Sequence, residues 1–361
     1  MNWSGVAAFT KNFTNCNFSH DASGMDDAQK ILAIQFKYFG DAVLMTPALR
    51  AIRGHFPQCE LHVLVPEEMA PLFQHLPWLN RVWPMPRRRG SPSLGRTWPV
   101  VRALRREHFD RSVDFASNDR GAISSLLVGA RQRLGLDDRG GFLGRRFCYN
   151  QRVQSAPVTQ HESARLAHIL SAWDIVPLSL EAEVRADPAL DASAEKLLPA
   201  GTVVCHIASS QPKKEWPIGH WAAFYQMAAR AGWRLVFTTA RGVREQSLMD
   251  ELKKSVPHAT ILPVIPDLAM FLAVLKRAKG FISGDTGPLH FAAGLGVPTI
   301  ALFGSSSVAQ WAPLGKRHHV LTGSPCGCGG DSGVCRSASH CLAAILPAQV
   351  FAGLEYFLKP V

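Results

Sequence analysis

The chain has 361 residues, 47% of them hydrophobic, and a formal net charge of +11. That length suggests two domains rather than one, and the apolar fraction suffices for two ordinary cores. No apolar run reaches the roughly 18 residues that span a bilayer, and the first twenty residues lack the basic start and apolar core of a secretory signal, so a cytoplasmic protein is expected.

In chain order, residues 1–28 read as a polar extension, with Met25 an alternative start. ILAIQF at 31–36 reads as a strand, and 41–56 as a helix with Val43, Leu44, Leu49 and Ile52 on one side. Further strands are expected at 61–65, 81–85, 111–115 and 131–136, and a helix at 161–173. The pattern then restarts. Strands are expected at 202–208, 234–240, 260–264, 280–284 and 299–304, with helices at 218–231, 243–254, 267–278 and finally 347–358. Alternating strands and helices build a parallel sheet covered on both faces. Two such series predict an α/β protein with two doubly wound parallel-sheet domains, at 29–190 and 191–345, followed by a C-terminal helix at 346–361. The linker is expected within 186–200, where Asp, Pro and Ala concentrate. Ligands in such sheets bind outside the carboxyl ends of the strands. Two domains facing each other would therefore enclose a cleft.

Charge is uneven. Residues 1–180 hold 22 Lys and Arg against 15 Asp and Glu. Between 87 and 106 lie seven arginines and no acid, among them Arg87, Arg88, Arg89 and Arg102. Such a patch, unless it is merely a solvated loop, attracts phosphates or an anionic membrane. No nucleic-acid motif accompanies it, so an anionic glycolipid or membrane surface is expected and nucleic acid is not.

Three segments sit at predicted strand ends. In FGDAVLMTPALRAI, at 39–52, Gly40 and Asp41 occupy the turn into the first helix. Asp41 there is either a helix cap or a general base facing the cleft. In HIASSQPKKEWPIGHW, at 206–221, a polar loop carries Lys213 and Lys214. They are either an exposed pair or a charge that reaches an anionic ligand. In SGDTGPLHFAAGLGVP, at 283–298, a Gly-rich turn with Asp285, Thr286 and Gly287 leads into a helix carrying His290. A helix start aims N–H groups and partial positive charge at a phosphate.

Together these segments resemble the ADP-heptose:lipopolysaccharide heptosyltransferases, glycosyltransferase family nine. The carrying residues are Gly40-Asp41 with Thr46-Pro47-Ala48-Leu49, Lys214-Glu215-Trp216-Pro217, and Asp285-Thr286-Gly287-Pro288-Leu289-His290 through Gly296-Val297-Pro298. Leu302-Phe303-Gly304 and Trp311-Ala312-Pro313-Leu314-Gly315 also fit. The resemblance runs from about residue 30 to the end. It implies a GT-B fold of two Rossmann-like domains, with the acceptor on the first and the nucleotide-sugar donor on the second. By that resemblance Asp41 is the base that deprotonates the acceptor. Lys214 contacts the donor phosphates, Asp285 holds sugar hydroxyls beside His290, and the Thr286 and Gly287 amides hold the pyrophosphate. Glu245, in the loop after the 234–240 strand, bonds the ribose.

The implied activity is inverting transfer of heptose from ADP-heptose to a lipopolysaccharide inner-core acceptor at the cytoplasmic face of the inner membrane, with peripheral contact to that membrane. The chain contains no Asp-x-Asp, the motif that often holds a metal against the leaving diphosphate. Lysine and helix-start amides are therefore expected to stabilise it, and no cofactor is expected for the chemistry. A dehydrogenase is disfavoured because no G-x-G-x-x-G turn follows the first strand. Three departures from the family pattern lie near the donor. Ile207-Ala208 stand where Pro-Gly is usual, Gly284 where Asn is usual, and Phe39 where a smaller aliphatic residue is usual.

Cys16, Cys59, Cys148 and Cys205 are scattered and read as reduced thiols. Cys326, Cys328, Cys335 and Cys341 fall within 16 residues. They are either reduced thiols in a loop or a structural Zn or Fe site. Family relatives that heptosylate autotransporter proteins look similar in carrying a metal-binding cysteine finger, so a protein hydroxyl is the alternative acceptor. A non-catalytic nucleotide-sugar binder or scaffold is the alternative from another class.

Overall fold

The computed structural model describes residues 29–86, 94–137, 140–239, 242–265, 267–325 and 340–358. Strands β1 (Lys30–Ile34), β2 (Glu60–Pro66), β3 (Arg81–Met85), β4 (Arg111–Asp114), β5 (Gln132–Leu136) and β6 (Gln151–Val153) form one parallel sheet. Strands β7 (Thr202–His206), β8 (Arg234–Thr238), β9 (Thr260–Ile261), β10 (Gly280–Gly284), β11 (Thr299–Phe303) and β12 (His318–Thr322) form the other. Their orders are β3-β2-β1-β4-β5-β6 and β12-β11-β10-β7-β8-β9. Both sheets thus share the doubly wound order 3-2-1-4-5-6, the second read from its other edge. The order reverses between β1 and β4 in one sheet, and between β7 and β10 in the other. Those two switch points are where such sheets hold ligands.

The central strands are buried along their whole length: β7 (TVVCH), β10 (GFISG) and β11 (TIALF) expose nothing. Continuous apolar runs of this kind suit strands covered by helices on both faces. The first half supplies α1 (Phe39–Leu44), α2 (Thr46–His55), α3 (Leu94–Arg106), α4 (Asp119–Val128) and α5 (Glu162–His168). The second supplies α6 (Asp191–Leu197), α7 (Ile218–Arg230), α8 (Val243–Ser255), α9 (Leu268–Lys276), α10 (Gly287–Gly294), α11 (Val308–Trp311) and α12 (Pro347–Leu358).

The helix expected at 41–56 starts earlier and is broken at Met45. Pro47 has no N–H to give the Val43 carbonyl. The Thr46 hydroxyl donates to that carbonyl instead, at 2.7 Å. Two strands were not legible in the sequence. β6 has three residues, none of them fully buried, and β12 is half-buried over most of its length. Both are edge strands, so neither shows the apolar run that marks a central strand.

The two Rossmann-like domains meet through helices that follow their switch points. Phe39 of α1 and Phe291 of α10 pack edge to face at 5.8 Å. One buried apolar cluster runs from Ala42 and Leu44 to Leu289, Phe291 and Ala292. Gly40 permits this approach, because a Cβ there would sit 3.1 Å from the His290 ring. The connecting segment is tied to both sides. The Glu183 N–H donates to Thr46 Oγ1 at 2.9 Å, and the Val184 N–H donates to the Gly294 carbonyl at 2.8 Å. Among the described residues, no helix is long and apolar enough to cross a membrane.

Candidate functional site

Asp41 follows β1 at the first switch point, but it is not a helix cap. Tyr38 occupies that position, and Asp41 is the third helical residue. A carboxylate there can reach back to the N-terminal N–H groups, and backbone hydrogen bonds at Tyr38 and Asp41 hold it. The side chain is buried, only 6% exposed. Burial pushes its pKa up to about 6, the nearby Glu162 carboxylate adds to the rise, and Lys37 opposes it. Asp41 is thus charged at neutral pH and poised close to it, as a general base requires. Lys37 and Glu162 were missed in the sequence. Glu162 belongs to α5, more than a hundred residues away, and nothing in its spacing announces the contact.

Lys214 ends the short 3₁₀ turn Pro212–Lys214 after β7. The expectation of an exposed lysine pair fails, since Lys213 is buried and Lys214 is largely covered. Lys214 Nζ reaches across the switch point to Asp285 Oδ2 at 2.6 Å. Asp285 follows β10 and is 8% exposed. It is not a cap either, because Thr286 caps α10. His290, one turn into α10, stands 3.9 Å from the other Asp285 oxygen. Burial lowers the His290 pKa to about 4, against the pull of Asp285, so the imidazole is neutral at pH 7.

Unpartnered polar groups follow the neighbouring strand ends. The hydroxyls of Thr286, Ser305 and Ser306 are buried with no hydrogen-bond partner among the described residues. Buried polar groups are rarely left so. These follow β10 and β11, beside the N-terminus of α10, where backbone amides also point outward.

Glu245 lies in the first turn of α8 rather than in a loop. Arg244 Nη2 donates to its Oε1 at 3.0 Å, and Arg244 Nη1 donates to Glu215 Oε1 at 2.5 Å. Arg244 also donates to the Ser209 carbonyl. One guanidinium therefore fastens Glu245 to the loop that carries Lys214, a role no motif disclosed. Arg87, Arg88 and Arg89 lie outside the described residues, as do Cys326, Cys328 and Cys335. Arg102 is exposed on α3. Cys341 is buried against Gly304. Among the described residues no group of His, Cys, Asp and Glu is placed to hold a metal.

Gly284, one of the departures, has a local explanation. A Cβ there would lie 2.5 Å from the Lys214 carbonyl oxygen. Gly284→Asn should therefore displace the Lys214 loop, costing about 1–3 kcal/mol of stability and raising the donor KM. Thermal unfolding and donor titration of the variant check this, and unchanged values would refute the close approach.

Comparison with known proteins agrees with this architecture. A family model described as glycosyltransferase family 9 (heptosyltransferase) matches residues 97–333. The chain is similar to lipopolysaccharide heptosyltransferase 2 of Salmonella typhimurium, 24% identical over 309 residues, which cover 81% of this chain and 87% of that protein. Among solved structures, the Escherichia coli ADP-heptose lipopolysaccharide heptosyltransferase II superposes with a TM-score of 0.74 at 19% identity, covering 91% of this chain and 98% of that one. The iron-containing dodecameric glycosyltransferase TibC of enterotoxigenic E. coli superposes with a TM-score of 0.56 at 15% identity, covering 92% of this chain and 76% of that one. These likenesses establish the GT-B fold.

Proposed function

Because this chain belongs to glycosyltransferase family 9, the heptosyltransferases, we propose that it transfers heptose from ADP-heptose to a lipopolysaccharide inner-core hydroxyl. The observation that carries the reading is the pairing of two switch points. A buried carboxylate poised near neutrality stands on one, and a lysine–aspartate pair beside a helix N-terminus stands on the other. Residues 29–190 bind the acceptor and 191–345 the donor. The names of the related proteins support both substrates.

In this reading Asp41 removes the acceptor proton as its oxygen attacks the anomeric carbon. The diphosphate leaves from the opposite face, so the sugar inverts in one displacement. Lys214 and the Thr286 and Gly287 amides hold the leaving diphosphate. Donor binding must then open the 2.6 Å Lys214–Asp285 pair. That releases Asp285 to accept from sugar hydroxyls beside neutral His290. Glu245, oriented by Arg244, accepts from the ribose. The enzyme works at the cytoplasmic face of the inner membrane, where Arg102 and the 87–89 arginines meet acceptor phosphates.

The clustered cysteines at 326, 328, 335 and 341, unless they are reduced thiols, would be the ligands of a structural Zn or Fe, a reading supported by their spacing and by the iron-containing TibC. Metal analysis of the purified protein tests it. A bound metal would favour the second acceptor, a protein hydroxyl. The proposed function itself is tested by incubating the protein with a panel of nucleotide sugars and measuring nucleoside diphosphate release. ADP-heptose should be used fastest. Preference for a uridine- or guanosine-linked sugar would overturn the donor assignment.

A further inference from the structure

The loop that carries Lys214 keeps its shape with little help from its own residue types. Between His206 and Pro212 the chain reads IASSQ, with no Gly or Pro to preset a turn. The far end of the loop is anchored by packing. Trp216 is buried, and its indole donates to the Ile345 carbonyl at 2.9 Å. The 3₁₀ turn before it closes locally, with the Lys214 N–H donating to the Gln211 carbonyl at 2.9 Å and the Glu215 N–H to the Pro212 carbonyl at 3.1 Å. The near end, at Ser209, is held differently.

The Glu215 side chain turns back along the loop. Its Oε1 accepts from the Ser209 N–H at 3.0 Å and from Arg244 Nη1 at 2.5 Å. Arg244 Nη2 donates to the Ser209 carbonyl. One ion pair therefore takes both backbone groups of Ser209 and closes a ring from residue 209 to residue 215. Lys214 lies inside that ring. Its Nζ leaves it toward Asp285, 2.6 Å away.

The pair is more than a solvated surface bridge. The Glu215 side chain is only 11% exposed, and Arg244 also donates to Glu245 Oε1 at 3.0 Å. Isolated exposed pairs hold little, whereas networks with several partners do hold geometry. A guanidinium can serve three acceptors on three segments at once, which a lysine ammonium on its flexible stem does poorly. Arg244 is in turn fixed by α8, in whose first turn it stands.

We infer that Glu215 and Arg244 are positioning residues for the leaving diphosphate. Neither touches the donor. Together they set the 209–215 loop so that Lys214 faces the turn between β10 and α10. This rests on the reading of Lys214 as the phosphate contact. It has a consequence that runs against simple electrostatics. Glu215 is an acid next to an anion site, so by charge alone its removal should tighten ADP binding. As a positioning residue, its removal should weaken it.

Two measurements on the full chain test this. The first is hydrogen exchange without any donor. The segment 209–215 should exchange about tenfold faster in Glu215→Gln and in Arg244→Lys than in wild type, while β7 and β10 stay protected. The second is ADP titration. Both variants should bind ADP about tenfold more weakly, with donor kcat/KM about 10²-fold lower. Arg244→Lys keeps the charge, so its loss reports the fork. In a Lys214→Ala background, Glu215→Gln should change ADP affinity by less than about twofold, because no cation is left to position. Wild-type exchange of the segment in both variants would overturn the inference. So would unchanged or tighter ADP binding in Glu215→Gln, or equal losses with and without Lys214, which would mean that the pair acts on the donor by another route. Lys214→Ala that binds ADP like wild type would instead remove the diphosphate assignment. Exchange, read without donor, would still decide whether the pair holds the loop.

Discussion

Asp41→Asn should lower kcat by about 10²- to 10⁴-fold, the usual worth of a positioned general base, while leaving the donor KM within a few fold. The side chains are nearly the same size, so the packing of α1 against α10 should survive. The pH dependence gives the assignment a second reading. The carboxylate is the active form, so wild-type kcat/KM should rise with pH through the Asp41 value of about 6. Glu162→Gln removes a repelling charge and should move that limb to lower pH. Lys37→Met removes an attracting one and should move it higher. A limb that ignores both substitutions would mean another group is titrating.

The same burial has a cost in stability. The Asp41 pKa is raised from 3.8 to about 6 in the folded chain. The folded state therefore holds the proton more tightly than the unfolded state does. Stability associated with this group is greatest below about 3.8, falls as pH rises between the two values, and is fully lost above about 6. At neutral pH the buried charge costs roughly 2–3 kcal/mol. Asp41→Asn should accordingly raise the unfolding temperature near pH 8 and change it little near pH 4. A substitution that abolishes turnover while stabilising the fold separates a catalytic carboxylate from a structural one. Loss of stability at both pH values would point to a helix-start role alone.

Lys214 and Asp285 should respond in opposite directions. Lys214→Ala removes the cation facing the leaving diphosphate and should lower kcat/KM by about 10²–10³-fold, with weaker ADP binding. It also leaves Asp285, 8% exposed, without its 2.6 Å partner, costing roughly 1–3 kcal/mol. Asp285→Asn frees Lys214 from the pair. ADP should then bind at least as tightly as in wild type, while turnover falls because the sugar hydroxyls lose their acceptor. Calorimetric titration with ADP distinguishes the two. Weaker ADP binding in both variants would show that the pair acts as one structural unit and that Lys214 does not exchange partners.

Most of the architecture was legible because α/β sheets announce themselves. Central strands such as VVC in β7 and IAL in β11 are buried on both faces and therefore read as unbroken apolar runs. The polar turns after β1, β7 and β10 stood out for the same reason, as Gly, Asp and Lys directly behind apolar segments. Position within those turns was less legible. A cap was one reading of Asp41, yet Tyr38 takes that place, and Thr286 rather than Asp285 caps α10. A cap position is set by backbone geometry, and here neither Tyr38 nor Thr286 makes a side-chain cap hydrogen bond. Contacts between distant segments were not legible at all. The Glu162 effect on Asp41, the Arg244 clamp on Glu215 and Glu245, and the Lys214–Asp285 pair join positions with no periodic relation. Gly284 looked like a loss of a side chain from the donor site. The structure makes it a requirement of the Lys214 loop, whose carbonyl fills the space.

The central claim is that one carboxylate and one phosphate-binding helix start, on facing switch points, carry out a single displacement. The anomeric configuration of the product tests it most directly. ADP-heptose of defined configuration is supplied with a heptose-free inner-core acceptor, and the new linkage is assigned by NMR coupling. The account predicts inversion relative to the donor, with the signal lost in Asp41→Asn. Retained configuration would contradict it, since retention requires a second displacement or attack from the leaving-group face.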